Sequence, residues 1–199
     1  VPVIYFVRHA ACESVGRGLA ADRPDPGLDA RGVDQTRDLA RGLCSTRLDA
    51  VYSSPRERAR QTAAAIAKPR GLDVRIVDGF REIGFGEWAG RSFAELAERP
   101  AWSRWNSFRS FERPPGGESM AEVQARAVGE VERMAGDWPE GQLAVVSHAD
   151  VIKVVLAYFL GMPIDFHARL ELLPASVSVL QLGPWGAKVQ RLNDVEARG

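Results

Sequence analysis

Two cysteines, Cys12 and Cys44, are too few for a disulfide framework, so a hydrophobic core has to hold the fold. No apolar run approaches the roughly 20 residues needed to cross a bilayer, and no membrane span is expected. Net charge is also missing. Twenty-six basic residues balance 26 acidic ones, leaving no overall field to attract a nucleic-acid backbone or an anionic membrane. Any anion must be held by a local cluster. The chain has no internal repeat, low-complexity tract or Pro/Ser-rich linker, and a single domain over residues 1–199 follows. There is no GxxxxGK[ST] loop, neither cysteine has an arginine six residues downstream, and the histidines and cysteines lack metal-ligand spacing. No metal or cofactor is expected. The apolar opening VPVIYFV has no basic leader or small-residue cleavage site and runs directly into charge, so it reads as a strand of a cytoplasmic protein.

What is present is an alternation of strand and helix patterns. Val3 to Val7 is an unbroken apolar, β-branched run that ends on Arg8-His9. Asp29 caps a helix from about Ala30 to Leu43, with Val33, Thr36, Ala40 and Leu43 as its apolar stripe. A short strand, Ala50 to Ser53, follows. A serine with glutamate three residues on marks three helix starts: Ser54 with Glu57, Ser92 with Glu95, and Ser119 with Glu122, the first reinforced by Pro55. The last opens a helix with Met120, Val123, Ala127, Val131 and Met134 on one face. Val74 to Val77 and Leu143 to Ser147 read as strands; the second ends on His148, with Asp150 placed to cap the helix that runs to Leu160. Arg169 to Leu173, Val177 to Leu182 and Lys188 to Leu192 are further strands, the last two joined by a Gly-Pro-Trp-Gly turn. This pattern predicts an α/β three-layer fold with a mostly parallel sheet, whose ligand site lies beyond the carboxyl ends of its strands.

Arg8, His9 and His148 all fall at such ends, and two of the chain's three histidines are used this way. Taken alone, a strand-end histidine is more often a hydrogen-bonded structural residue than a catalyst. The neighbours tilt the reading toward function. Arg58 lies in the first turn of a helix whose N-terminus points free N–H groups toward the same edge, and two guanidiniums with a helix N-terminus make a phosphate pocket. Arg56 and Arg60 project in other directions and read as solvent-facing, and His167 has no motif around it.

These segments resemble the histidine phosphatase superfamily, also called phosphoglycerate mutase-like. Val7-Arg8-His9-Ala10 is similar to its Arg-His-Gly motif, DPGLDARGVDQTRDLARGL to its first helix, and SSPRERARQTA to the segment with its second arginine, here Arg58. REIGFGEWAGRS resembles the segment bearing the general acid, which falls on Glu82; PPGGES resembles a recurrent loop; VSHAD resembles the segment with the second histidine, His148. The tail resembles a bacterial branch described as phosphomutases or phosphatases. The resemblance implies that His9 attacks phosphorus and becomes phosphorylated, that Arg8, Arg58, a protonated His148 and Ala149 hold the phosphate, and that Glu82, raised by burial and the bound phosphate, protonates the leaving oxygen. The partner is then a small phosphorylated metabolite, with a homodimer left open.

Where many relatives carry a carboxylate and an asparagine that order the pocket, this chain has Ala11 and Val15, with Glu13 or Ser14 as stand-ins. Mutases of the family tend to be longer chains, and 199 residues favours a hydrolase. A phosphomutase using the same residues is the first alternative, and a non-catalytic phosphate-binding or protein-interaction domain the second. Residues 99–117 break the alternation and form a candidate lid: Trp102, Trp105, Phe108 and Phe111 recur with Arg104, Arg109 and Arg113 among them. Either they grip substrate or they pack the insertion onto the domain.

Overall fold

The computed structural model describes residues 1–20 and 24–195; the last four positions of the expected domain lie outside it. The elements run β1 (Val3–Arg8), α1 (Ala30–Gly42), β2 (Ala50–Ser53), α2 (Glu57–Ala67), β3 (Val74–Ile76), α3 (Phe93–Ala97), α4 (Pro100–Ser107), α5 (Met120–Asp137), β4 (Gln142–Ser147), α6 (Ala149–Phe159), β5 (Val177–Gly183) and β6 (Gly186–Asp194). The strands form one sheet in the order β3-β2-β4-β1-β5-β6. Four neighbours, β3, β2, β4 and β1, are parallel, and β5 and β6 add an antiparallel edge.

Alternation along the central strands feeds two cores. Ile4 and Phe6 of β1 and Leu143 and Val145 of β4 face one side, where Val123, Ala127 and Val131 of α5 and Val151, Ile152 and Val155 of α6 cover them. Val7, Ala144 and Val146 face the other, under Leu39 of α1 and Ala59, Ala63 and Ile66 of α2. Both faces of the sheet are dry, which is why these strands read as continuous apolar runs. Full burial of a Val, Leu or Ile side chain contributes about 1.5–3 kcal/mol, so the two layers supply the stability that disulfides do not. Among the described residues no helix is long and apolar enough to cross a membrane.

Four local expectations are corrected. The buried stripe of α1 is Gly32, Thr36 and Leu39, with Val33 exposed, because Gly32 packs so closely on the chain after β1 that a Cβ there would meet Ala11 O at 2.0 Å. Ser54 does not cap α2: the helix starts at Glu57, after Pro55, and Asp25 Oδ2 accepts from Glu57 N at 2.8 Å instead. Asp150 does not cap α6; it is drawn to Arg109, whose Nη1 donates to Asp150 Oδ2 at 2.7 Å. Finally, residues 169–173 form no strand. Leu170 and Leu172 are buried and alternate like strand residues, but their neighbours are side chains: Leu172 O accepts from Arg8 Nη1 at 2.6 Å and Leu173 N donates to Asn193 Oδ1 at 2.7 Å. The capping boxes at Ser92 and Ser119 form as expected.

Candidate active site

The parallel register from Val3↔Gln142 to Arg8↔Ser147 ends both central strands one residue short of a histidine. His9 N donates to Ser147 O at 2.9 Å, and the His9 and His148 ring centroids are 5.1 Å apart. β2 ends alike. Ser54 N donates to Val146 O at 2.9 Å, and Ser54 Oγ lies 2.8 Å from His148 Nε2. The strand order therefore sets Ser54, His148 and His9 side by side at the carboxyl edge.

His9 Nδ1 lies 2.8 Å from Ala10 O. A carbonyl only accepts, so Nδ1 carries the proton and Nε2 keeps its lone pair. That lone pair accepts from Arg58 Nε at 3.2 Å. Arg58, at 1% exposure, is the hub of the site: Nη1 donates to Asp25 Oδ1 at 3.2 Å and Nη2 to Glu82 Oε2 at 3.4 Å. The same Glu82 oxygen lies 3.2 Å from His148 Nδ1. Because a carboxylate also only accepts, neutral His148 holds its proton on Nδ1, facing Glu82, and accepts a hydrogen bond from the Ser54 hydroxyl at Nε2. Arg58 Nη2, 3.2 Å from that Nδ1, donates to Glu82 instead.

Burial pushes the His9 imidazole well below its usual range, and His148, Arg58 and Arg8 push it further. It is neutral at neutral pH. Burial also lowers His148, although Glu82 opposes the shift. His148 is therefore neutral at neutral pH, not protonated as expected. For Glu82, burial without an anion does not give the raised value. Burial raises its carboxyl, but His148 and Arg58 outweigh burial and the net shift is downward. Arg58 is permanently charged and hydrogen-bonded to it, so Glu82 is ionised at rest.

These groups open on a cavity of about 140 Å³, lined by Arg8, His9, Arg58, Glu82, Ala149 and Asp150 together with the apolar Val15, Leu19, Phe85 and Phe93. Pockets that enclose whole drug-sized ligands hold roughly 300–1,000 Å³, so this one suits a phosphoryl group and a short stub. Arg8 keeps a buried Nε without a partner beside its bond to Leu172 O. Of the two stand-ins after His9, Ser14 lines the cavity, whereas Glu13 is exposed and pairs with Arg17 at 4.0 Å. Arg60 is exposed and pairs with Glu57 at 3.5 Å, and Arg56 is half-buried just before α2. His167 is buried, with Nδ1 3.0 Å from Ile164 O.

His9, Glu82 and His148 place potential ligand atoms within 4.8 Å of one another. A divalent cation among them would have to displace the guanidinium already bonded to His9 and Glu82, whose fixed charge repels it. The donor set suits an anion.

The 99–117 segment divides. Trp105 is buried and Trp102 packs edge-on to Trp88 at 5.5 Å and nearly parallel to Phe93 at 6.0 Å, while Phe108 and Phe111 are 58% and 90% exposed. Arg104 and Arg113 pair with Glu112 and Glu122, and Arg109 stacks on Trp105 with its guanidinium 3.4 Å from a ring centroid and binds the cavity residue Asp150. Three participants escaped the sequence reading. Asp25 opens the DPG turn before α1 and reads only as turn chemistry, Phe93 carries no motif of its own, and Ser54 matches a helix-cap pattern that masks its position at a strand end.

The comparisons agree with this geometry. A bifunctional protein of Mycobacterium tuberculosis is 35% identical over 193 residues, covering 95% of this chain and 52% of that protein, so the chain spans about half the length of such relatives. Phosphoserine phosphatase 1 of Hydrogenobacter thermophilus is 31% identical over 192 residues, covering 96% of this chain and 91% of that protein. The crystal structure of the alpha-ribazole phosphatase from Shigella flexneri superposes with a TM-score of 0.87 at 25% identity, covering 97% of this chain and 96% of the other. Residues 4–195 match the family model, so the paired strand-end histidines sit within a match that covers nearly the whole sequence: the chain belongs to the histidine phosphatase superfamily, branch 1.

Proposed function

We propose that this chain is a metal-independent phosphatase that hydrolyses a small phosphate monoester through a phosphohistidine on His9. The observation that carries the reading is the His9 tautomer: Ala10 O holds the proton on Nδ1, leaving the Nε2 lone pair beside Arg58 in a cavity that Arg8 also lines. In the first step Nε2 attacks phosphorus, the P–O ester bond breaks, and Glu82 gives the leaving oxygen a proton. Glu82 is ionised at rest, so that proton is acquired as the phosphate anion enters and raises the proton affinity of the carboxylate and of His148. Arg8 and Arg58, which line the cavity, then face the charge spread over the equatorial oxygens; His148, fully buried and outside the lining, reaches the site through its contact with Glu82, and the first turn of α6 at Ala149 opens on the same space. In the second step Glu82 takes a proton from water, water oxygen attacks phosphorus, and the P–N bond breaks to give phosphate and free His9.

The names of relatives, phosphoserine phosphatase and alpha-ribazole phosphatase, support hydrolysis of a small phosphorylated metabolite. Both cysteines are free thiols, in keeping with a reducing cytoplasm. The 99–117 segment serves as a lid insertion within one domain, anchored by Trp105 and by the Arg109–Asp150 pair.

The test is p-nitrophenyl phosphate turnover with chelator present, with an alkaline quench and intact-mass detection of the phosphoenzyme. The native chain should turn over and carry phosphate, and His9→Ala should do neither. Full activity in His9→Ala, or activity abolished by chelator and restored by a divalent metal, overturns the reading. Isomerised product without free phosphate, seen with a bisphosphate primer, assigns the chain to the mutases instead.

A further inference from the structure

Glu82 belongs to no helix or strand, and a general acid has to be held to within about 0.5 Å of its working position. The anchors of its loop come from elsewhere. Arg126, on α5, sends Nη1 to Gly79 O at 2.6 Å and Nη2 to Glu82 O at 3.3 Å. On the far side, Glu118 Oε2 accepts from Gly84 N at 2.8 Å, and Glu118 N donates to Gly84 O at 2.8 Å. Glu118 and Arg126 also bind one another, Nε to Oε1 at 3.0 Å and Nη2 to Oε2 at 3.1 Å, a two-point pairing that fixes both side chains. Arg81 Nη2 joins them at Glu118 Oε1, 2.6 Å away, and Ser147 Oγ, from the strand that leads into His148, donates to Phe80 O at 2.8 Å. α5 presses on the loop so closely that a Cβ at Gly79 would meet Glu130 Cγ at 2.4 Å.

We propose that Arg126 and Glu118 are positioning residues for Glu82: bonded to each other, they clamp the backbone on both sides of the acid without touching the cavity. This assigns a role to the PPGGES loop, which carries Glu118 and adds nothing to the cavity lining. The inference rests on the reading of Glu82 as the group that protonates the leaving oxygen. The two side chains keep 14% and 18% exposure, so their ion pair is largely shielded from the solvent screening that makes surface pairs weak.

Leaving-group dependence separates a positioning role from a structural one. p-Nitrophenolate departs without protonation, whereas an alkoxide needs the acid, so a displaced Glu82 penalises alkyl phosphates selectively. A displacement of about 1 Å costs up to about 100-fold. Arg126→Gln and Glu118→Gln should therefore lower kcat/KM for an alkyl phosphate such as glycerol phosphate by about 10- to 100-fold, and for p-nitrophenyl phosphate by less than about 3-fold. Arg126→Lys, which keeps the charge but loses the fork, should fall between. In a Glu82→Gln background, either substitution should leave the alkyl-to-aryl ratio where Glu82→Gln alone puts it. Equal losses on both substrates, or a further drop of the ratio in the Glu82→Gln background, refute the clamp. If Glu82→Gln itself spares alkyl phosphates, the assignment of Glu82 as the acid fails instead. Circular dichroism melts of each variant exclude unfolding as the source of a selective loss.

Discussion

Arg58→Met removes the hub of the site while keeping a side chain of similar reach, and its consequences can be worked out bond by bond. Three partners lose a donor: His9 Nε2, Glu82 Oε2 and Asp25 Oδ1. Loss of one preorganised donor to a developing oxyanion costs about 10²–10³-fold in kcat. Arg58 lines the cavity proposed to hold the phosphoryl group, so a loss in this range is expected. The stability cost is smaller than the 1% exposure of Arg58 suggests. Breaking a buried ion pair costs about 3–5 kcal/mol when the orphaned charge stays buried. Here Glu82 and Asp25 keep 17% and 27% side-chain exposure, and each retains a backbone donor, Ile83 N and Glu57 N. Water and these N–H groups hold the loss to about 1–3 kcal/mol.

The imidazole gives an independent readout. Burial, His148 and Arg58 together depress the His9 pKa, so the substitution should raise it toward the ordinary value while His167 is unmoved. Histidine ring resonances followed by NMR titration, steady-state rates on p-nitrophenyl phosphate, and thermal melts measure the three effects on one sample. A folded Arg58→Met protein whose kcat/KM drops by less than about tenfold, which is 1.4 kcal/mol, would show that the phosphate charge is met elsewhere.

The other expectations are brief. His9, His148 and His167 are all shifted below 6.5 by burial, so between their folded and unfolded values the unfolded chain binds more protons. Stability is then complete above about pH 6.5 and declines as pH falls through the folded values; urea midpoints that stay flat from about pH 7.5 to pH 5 would contradict this. Gly32→Ala sets helix propensity, which favours alanine by about 1 kcal/mol, against a Cβ that would meet the Ala11 backbone at 2.0 Å. Overpacking of about 1–3 kcal/mol should win, lowering Tm and also activity through the neighbouring His9; a raised Tm refutes the close approach. Trp105→Ala should cost about 3–5 kcal/mol, whereas Phe111→Ser, at 90% exposure, should stay within about 0.5 kcal/mol in chemical denaturation.

How much of this was legible in the sequence depends on the range of the interaction. Strand runs such as Val3 to Val7 are local signals, and a parallel sheet collects strand ends at one edge, so His9 and His148 could be brought together without coordinates. The capping boxes at Ser92 and Ser119 were equally local. Ser54 carries the same pattern, yet its hydroxyl faces His148, which is distant in sequence; a pattern local in the chain cannot report a partner supplied by strand order. The Leu170 and Leu172 alternation misled for a related reason, since two-residue periodicity reports burial, and here the Arg8 and Asn193 side chains took the place of a pairing strand.

Charge was harder still to read. Burial alone predicts a raised Glu82, and the opposite follows only when Arg58 and His148 are known to touch it. A proton's position is a property of the assembled cluster, because each of these groups changes the others' affinity. On the proposed mechanism, a phosphate dianion in the cavity joins this set. By adding negative charge beside Arg58 and Glu82, which line the cavity, it would supply the condition under which an ionised carboxylate becomes the acid that the proposed first step requires. Inorganic phosphate or vanadate should accordingly raise the apparent pKa of the His148–Glu82 pair in an NMR titration, and an unchanged titration with the anion bound would mean that the proton reaches the leaving oxygen by another route.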